Sequence, residues 1–145
     1  MSDARADIEV LARTLWGETD GKDAEEMEMI ALAALNRFRS GKWWGGYEQK
    51  EGKKYPSLKA TCRIRSQFAC WNRKNPRYAE MVNMAEDDER LRLPRQIAKK
   101  ACCGRLADFG NGAYFYHGKN CRPDWARHHS PCYETKQYLF YNDIQ

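Results

Sequence analysis

The stretch DAEEMEMIALAALNRF, residues 23–38, decides the fold because the helix it predicts is apolar on nearly every face. Asp23 is a suitable N-cap, and the glutamates that follow it suit the positive end of a helix dipole. A helix that is apolar almost all round is usually central and buried. We therefore predict a core helix over about residues 23–40, in which the amide of Asn36 needs buried partners, expected near the preceding helix.

The segment before it predicts an amphipathic helix over residues 5–18. Its apolar positions recur at helical spacing, and Glu18 follows Leu15 by three residues, so it extends the same stripe. Burial on that face would raise the carboxyl pKa toward the range of a general acid near neutral pH. Spacing alone leaves a second interpretation open, in which Glu18 is a solvated carboxylate at a helix end.

Further along the chain, glycines and lysines without a sustained period predict a surface loop over residues 41–56. Prolines in the first turn predict helices over residues 75–91 and 94–110, the second ending at a glycine. The aromatic runs GAYFYH (112–117) and QYLFYND (137–143) alternate like strands and are candidates for pairing.

The chain of 145 residues, 42% of them hydrophobic, has the size and composition of one globular domain. We predict a single domain over residues 1–145 with an α+β, mainly α fold of about four main helices and a small β subdomain. No apolar run approaches the roughly 18 residues of a membrane span. The N-terminus, MSDARADIEV, has no signal-peptide pattern, which predicts synthesis in the cytoplasm.

Positive charge is concentrated in one segment of the chain. Residues 42–77 contain ten lysines and arginines against two glutamates, a local net charge of +8, whereas the whole chain has +5. Such a segment attracts polyanions, whether nucleic acid, a membrane surface or an anionic wall polymer. Within it, RSQFACW (65–71) combines aromatic rings with amide and hydroxyl groups, a pattern that fits a sugar, a single-stranded nucleic acid or simply a core.

The chain contains six cysteines and three histidines, and their spacing fits none of the common zinc-finger patterns. The six cysteines are compatible with buried free thiols or with disulfides formed after release from a reducing compartment. Two cysteines and three histidines lie within residues 117–132, without the pairs that zinc fingers use. We predict neither a metal site nor a cofactor.

Five motifs in order give a more specific indication: LARTLWGETDG, AALNRFRSGKW, SQFACW, GAYFYHGKNCRPDWAR and YLFYND. Together they resemble the cell-wall hydrolase family typified by the SleB and CwlJ spore-cortex-lytic enzymes, in the version found in phage and proteobacterial members. The resemblance covers residues 8–143, most of the chain.

The resemblance implies a lysozyme-like fold that cleaves peptidoglycan glycan strands between N-acetylmuramic acid and N-acetylglucosamine, as a lytic transglycosylase or muramidase. In this family the glutamate of the Gly-Glu motif is the catalytic acid and base, which corresponds to Glu18. The family usually has Ser or Thr where this chain has Ala69, so Ser66 becomes the candidate hydroxyl. The expected substrate-binding residues are Ser66, Gln67, Phe68, Trp71, Tyr116 and His117, and the expected supporting residues are Asn36 and Trp16.

Two points of mechanism stay open at the level of sequence. Transglycosylation needs one carboxyl group, whereas hydrolysis by two carboxylates would require a partner for Glu18, with Asp20, Asp108 and Asp124 as candidates. The alternative function is a non-catalytic module that binds the wall or nucleic acid through residues 42–77. As an enzyme, the chain is expected to be a monomer that binds no nucleic acid and stays in the cytoplasm until a holin-like partner releases it to the wall.

Overall fold

The computed structural model describes residues 4–42, 44–64 and 67–144. Its architecture is α+β and mainly α, as predicted, with small antiparallel sheets beside the helices. The helices are α1 (Ala4–Thr19), α2 (Ala24–Ser40), α3 (Leu58–Cys62), α4 (Tyr78–Asn83) and α5 (Arg92–Cys102). The strands are β1 (Tyr47–Lys50), β2 (Lys53–Pro56), β3 (Phe115–Gly118), β4 (Tyr133–Glu134) and β5 (Tyr138–Tyr141).

Helix α2 is the buried centre of the fold, as its sequence predicts. The Asp23 carboxylate accepts a hydrogen bond from the backbone N–H of Glu26 at 3.0 Å, which caps the first turn. All residues from Met29 to Leu35 are buried, and helices α1, α3 and α5 pack around them. Gly41, with φ of 67°, ends the helix in the left-handed conformation.

The aromatic runs form the strands that the sequence predicts, and they pair. Strand β5 is the middle strand of a sheet in the order β3-β5-β4, with antiparallel neighbours on both sides. In this register Tyr116 lies opposite Phe140, and His117 opposite Leu139. Strand β4, only two residues long, is too short to show a period in the sequence.

The predicted loop over residues 41–56 was wrong in its second half, where β1 and β2 pair as a hairpin. Glu51 and Gly52 have φ of 52° and 77°, so both adopt the left-handed conformation that a two-residue hairpin turn needs. Strands of four residues on an exposed surface have no apolar face, and their alternation is therefore invisible in the sequence.

Both predicted C-terminal helices were too long. Instead of a helix over residues 75–91, α4 ends at Asn83, because Met84 turns to an extended conformation and is buried. The Asp88 side chain then caps a separate 3-10 turn. Helix α5 ends at Cys102 rather than near residue 110, because Gly104, the residue after the C-cap Cys103, adopts φ of 71°.

Within the described residues, none of the helices combines the length and the apolar character needed to cross a bilayer.

Candidate active site

Glu18 lies in the last turn of α1, and its carboxyl group is held from two sides. Oε1 accepts a hydrogen bond from the Tyr116 hydroxyl at 2.5 Å, and Oε2 accepts one from the backbone N–H of Cys70 at 3.2 Å. Burial raises the pKa of Glu18, and this effect outweighs the two hydrogen bonds and the positive charge of Arg37, which lower it. The group is therefore set up to hold a proton at a higher pH than an ordinary glutamate.

Gly17 explains how the Cys70 amide reaches Glu18. A Cβ at this position would lie 2.7 Å from the Cys70 Cβ and 2.7 Å from the Met81 sulfur, closer than side chains approach one another. The absence of a side chain lets the 3-10 turn Ala69–Trp71 pack directly on α1. Gly17 thus permits the close contact between this turn and α1, and the carboxyl group of the next residue, Glu18, accepts a hydrogen bond from the turn.

Two tyrosines of the three-stranded sheet fix the end of α1. Tyr116 is 9% exposed, and its ring packs on Phe140 with centroids 5.4 Å apart. The Tyr138 ring meets Tyr116 edge-on at 5.5 Å, and its hydroxyl donates to the backbone carbonyl of Glu18. Side chain and main chain of Glu18 are therefore both anchored to the sheet.

Arg37 is a buried cation behind this site that the sequence reasoning missed. It is 2% exposed, and its Nε donates to the backbone carbonyl of Tyr114. Its guanidinium carbon lies 4.7 Å from the ring centroid of Phe68 and 4.9 Å from that of Phe115. Burial lowers the pKa of Arg37 to about 10, so it stays charged at neutral pH. It directly follows Asn36 in the motif AALNRFRSGKW, and a buried arginine has no distinctive sequence signal.

A cleft of about 700 Å³ opens over Glu18. Trp125 lines it with a half-buried indole, which packs edge-on against His117 with centroids 5.6 Å apart. A partly exposed aromatic ring of this kind is a suitable platform for a sugar ring. The described residues that line the cleft are Glu18, Gln67, Ala69, Tyr116, His117, Gly118, Lys119, Asn120, Cys121, Pro123, Trp125, Lys136, Gln137 and Tyr138.

His117 lies in the cleft wall, but both ring nitrogens are already bonded. Nδ1 lies 2.8 Å from the Gly118 carbonyl oxygen, and Nε2 lies 2.8 Å from the Tyr141 hydroxyl. A carbonyl oxygen only accepts, so Nδ1 donates to Gly118, while Nε2 is hydrogen-bonded to the Tyr141 hydroxyl. His117 therefore braces the sheet beside the cleft and presents its ring rather than a free nitrogen.

The other predicted binding residues fall into three groups. Gln67 lines the cleft, whereas Phe68 is fully buried and lies under Tyr116, where it has no surface for a substrate. Trp71 lies outside the cleft, because its indole N–H donates to the Thr14 hydroxyl at 2.9 Å and its ring faces a different depression. Ser66 lies outside the described residues.

Asn36 acts on a different segment than predicted. Its amide donates to the Ala113 carbonyl at 2.8 Å and to the Asp108 carboxylate at 3.1 Å, rather than to groups near the first helix. It therefore braces the chain that leads into β3. The spacing in sequence did not show this, since Ala113 is 77 residues away.

Trp16 does not wall the cleft. It is 5% exposed and belongs to a separate cluster with Met81 and Leu91. The guanidinium groups of Arg77 and Arg90 lie 5.4 and 5.7 Å from its ring. Trp16 therefore stabilises the packing around α1 at a place outside the cleft lining.

Among the described residues that line the cleft, Glu18 is the only carboxylic acid. The three aspartates considered as second carboxylates all lie outside it. Asp20 forms an ion pair with Arg77, Asp108 accepts from Asn36 and from the Gly110 N–H, and Asp124 is exposed at the start of a 3-10 turn.

The six cysteines are all free thiols in the structure. Cys62 and Cys70 are fully buried, and burial raises the pKa of Cys62 to about 12, so it behaves as a small apolar residue. No cluster of three or more His, Cys, Asp or Glu side chains suited to a metal ion occurs in residues 4–42, 44–64 and 67–144.

Comparison with known proteins gives one match. A family model described as cell wall hydrolase matches residues 21–141, which include the sheet and nearly all of the cleft. Neither a curated protein nor a solved structure matches the chain, so the lysozyme-like fold stays a prediction. The match begins three residues after Glu18, and the role of Glu18 therefore rests on geometry. Since the match covers most of the sequence, the chain belongs to the cell wall hydrolase family.

Proposed function

We propose that this peptidoglycan-degrading enzyme cleaves the glycan strand between N-acetylmuramic acid and N-acetylglucosamine, with Glu18 as the general acid and base. The observation that supports this most directly is a largely desolvated carboxyl group with a raised pKa beneath a cleft of about 700 Å³. A general acid must hold its proton at the working pH and reach the leaving oxygen. Glu18 meets the first requirement by desolvation and the second by its place in the lining.

In the first step, Glu18 donates its proton to the glycosidic oxygen as the bond from C1 of the muramic acid to that oxygen breaks. The carboxylate formed is stabilised by the Tyr116 hydroxyl and the Cys70 N–H, both of which donate to it. In the second step, the muramic acid 6-hydroxyl bonds to C1 and gives its proton to Glu18. The product has a 1,6-anhydro ring, and Glu18 is protonated again.

We favour this transglycosylation over hydrolysis because of the composition of the cleft. The usual hydrolytic routes place a second carboxylate roughly 5–10 Å from the acid, where it acts as nucleophile or activates water. The described lining of the cleft contains no such group. The substrate's own hydroxyl is the nucleophile that makes a second acid unnecessary.

Mass spectrometry of the products tests the proposal. Digestion of peptidoglycan in ¹⁸O-labelled water should give unlabelled anhydro-muropeptides, each lighter than the reducing product by one water. Reducing ends that contain ¹⁸O would contradict transglycosylation and indicate hydrolysis. As controls, Asp20→Asn and Asp124→Asn, which change carboxylates outside the cleft, should leave the products and the rate unchanged.

The buried cation should tune the pH dependence of the reaction. Arg37 lowers the pKa of Glu18 through its charge. Arg37→Met removes that charge, so the pKa of Glu18 rises and Glu18 stays protonated to a higher pH. We expect the alkaline limb of the pH–rate profile to move to higher pH.

Methionine should be tolerated, because replacing a buried charge by an apolar side chain of similar size is often neutral for stability. Arg37→Lys keeps the charge and serves as the control. The alkaline limb of its pH–rate profile should lie close to that of the wild type. An alkaline limb that stays in place in Arg37→Met, in a protein that thermal unfolding shows to be folded, would contradict electrostatic coupling between Arg37 and Glu18.

As part of the same proposal, the enzyme acts as a monomer on the wall after release from the cytoplasm with a holin-like partner. The β1–β2 hairpin of the basic segment, residues 42–77, supports contact with an anionic wall, because Lys50, Lys53 and Lys54 are exposed there. Expression in cells with and without a holin tests the route, since lysis should require both proteins. Lysis by the enzyme alone would contradict the need for a partner.

A further inference from the structure

Lys136 is a lysine of the cleft whose charge is available to a ligand. It lies in the turn between β4 and β5, is exposed, and lines the cleft. Lys119 also lines the cleft, but its ammonium group is paired with Glu134. Lys136 forms no ion pair within the described part of the chain.

The backbone on both sides of Lys136 is fixed by a buried carboxylate. Glu26 of α2 is 0% exposed, and its Oε2 accepts from the Thr135 hydroxyl and from the Gln137 N–H, each at 2.7 Å. These two residues flank Lys136, so the central helix sets the position of the turn. A binding residue on a turn that is already ordered loses less entropy when a ligand binds.

The charge around Lys136 favours an anionic ligand. In the described lining the charge of Lys119 is balanced by Glu134, which leaves Lys136 and the carboxyl group of Glu18, whose raised pKa favours the neutral form. The amides of Asn120 and Gln137 lie in the same lining and add hydrogen-bond donors. An ammonium group with neighbouring amides is suited to a carboxylate.

We propose that Lys136, positioned by Glu26, binds a carboxylate of the muramic acid unit and makes the enzyme prefer strands with such groups. The inference rests on the proposed function, because it takes peptidoglycan as the ligand. Muramic acid offers carboxylates from two sources. The stem peptide has its own, and removal of that peptide frees the carboxylate of the lactyl group.

Binding measurements with three soluble strand preparations test this. One preparation retains its stem peptides, the second is stripped of them by an amidase, and in the third all carboxylates are converted to methylamides. Binding is measured by calorimetry on the Glu18→Gln protein, so that the strands are not consumed. Lys136→Gln on this background should weaken the binding of carboxylate-bearing strands roughly two- to fivefold, as expected for a partly exposed ion pair.

Lys136→Gln should leave the dissociation constant of the methylamide strands unchanged. Lys74→Gln, a matched change of an exposed lysine outside the cleft, should have no effect on any preparation. A loss confined to strands with stem peptides identifies the stem carboxylate, and a loss with stripped strands identifies the lactyl carboxylate. Equal weakening on the methylamide strands, no weakening on any, or no measurable binding of the charged strands would overturn the proposal.

The positioning role of Glu26 has a separate readout. If Glu26 acts by placing Lys136, Lys136→Gln should weaken the binding of carboxylate-bearing strands less in a Glu26→Ala protein than in a protein with Glu26. Glu26→Gln keeps a hydrogen-bond acceptor, so on that background Lys136→Gln should weaken binding as much as before. Thr135→Val removes one of the two hydrogen bonds and is a milder substitute if Glu26→Ala does not fold. If the effects of Lys136→Gln and Glu26→Ala on the binding free energy are fully additive, the positioning role of Glu26 is contradicted. The product analysis above judges cleavage independently, so the two proposals fail separately.

Discussion

Glu18→Gln should abolish the clearing of peptidoglycan in a zymogram, lowering the rate by roughly 10²–10⁴-fold, because proton transfer loses its donor and acceptor. The change keeps the shape of the side chain. The new amide oxygen can accept from the Cys70 N–H, while the amide nitrogen donates to the Tyr116 oxygen, whose hydroxyl then turns away. A variant that still clears peptidoglycan at the wild-type rate would rule out Glu18 as the acid.

The same variant should be more stable than the wild type near neutral pH. The folded-state pKa of Glu18 is raised above 4.5, so the folded protein holds this proton more tightly than the unfolded chain does. The wild type therefore loses stability as pH rises from about 4.5 through the folded-state pKa, whereas the amide of the variant does not titrate. Urea unfolding across pH should show the advantage of the variant growing over that window and then levelling off. An advantage that is the same at all pH values would contradict a raised pKa.

Gly17→Ala should have the second-largest effect and should reduce both stability and activity. The added methyl group would lie 2.7 Å from the Cys70 Cβ and the Met81 sulfur. Overpacking of this kind typically costs about 1–3 kcal/mol, which meets or exceeds the roughly 1 kcal/mol that alanine gains over glycine in a helix. The 3-10 turn must move away from α1, and the Cys70 N–H then no longer reaches the Glu18 carboxylate.

Urea unfolding should therefore show a lower free energy of unfolding for Gly17→Ala, and the clearing assay a lower rate. Gly104→Ala is the matched control. At that position after α5 a Cβ meets no atom within 4 Å, and φ of 71° makes any cost one of backbone strain alone. The control should lose some stability but no activity. A Gly17→Ala protein as stable and as active as the wild type would show that the close approach is unimportant.

The parts of the fold that were predictable from sequence are those that depend on local pattern. The cap at Asp23, the apolar periodicity of α1 and α2, and the alternating aromatic strands each show within about ten residues of sequence, and each is present. The end of α5 near Gly104 and the hairpin turn at Glu51 and Gly52 depend on residues in the left-handed conformation, which no apolar periodicity indicates.

The site was only partly predictable because its geometry depends on contacts between distant residues. The position of Glu18 on a buried stripe was readable from spacing, but Trp125 and Lys136 reach the cleft only through the register of the sheet and the turn that Glu26 holds. The SQFACW motif contributes Gln67 and Ala69 to the lining of the cleft. Its sequence could not show that Phe68 faces the core or that Trp71 faces Thr14, because both are aromatic residues in an irregular segment.

The hydrogen bonds of Glu18 form only after distant parts of the chain have packed together, so the raised pKa of this carboxyl group depends on complete folding. They join it to Cys70, 52 residues away, and to Tyr116, 98 residues away, so the acid is assembled from the beginning, the middle and the last third of the chain. A nascent or nicked polypeptide in which the sheet has not docked leaves Glu18 an ordinary solvated carboxylate. With Glu18 as its proposed acid, the enzyme is expected to be inert until its whole tertiary structure has formed.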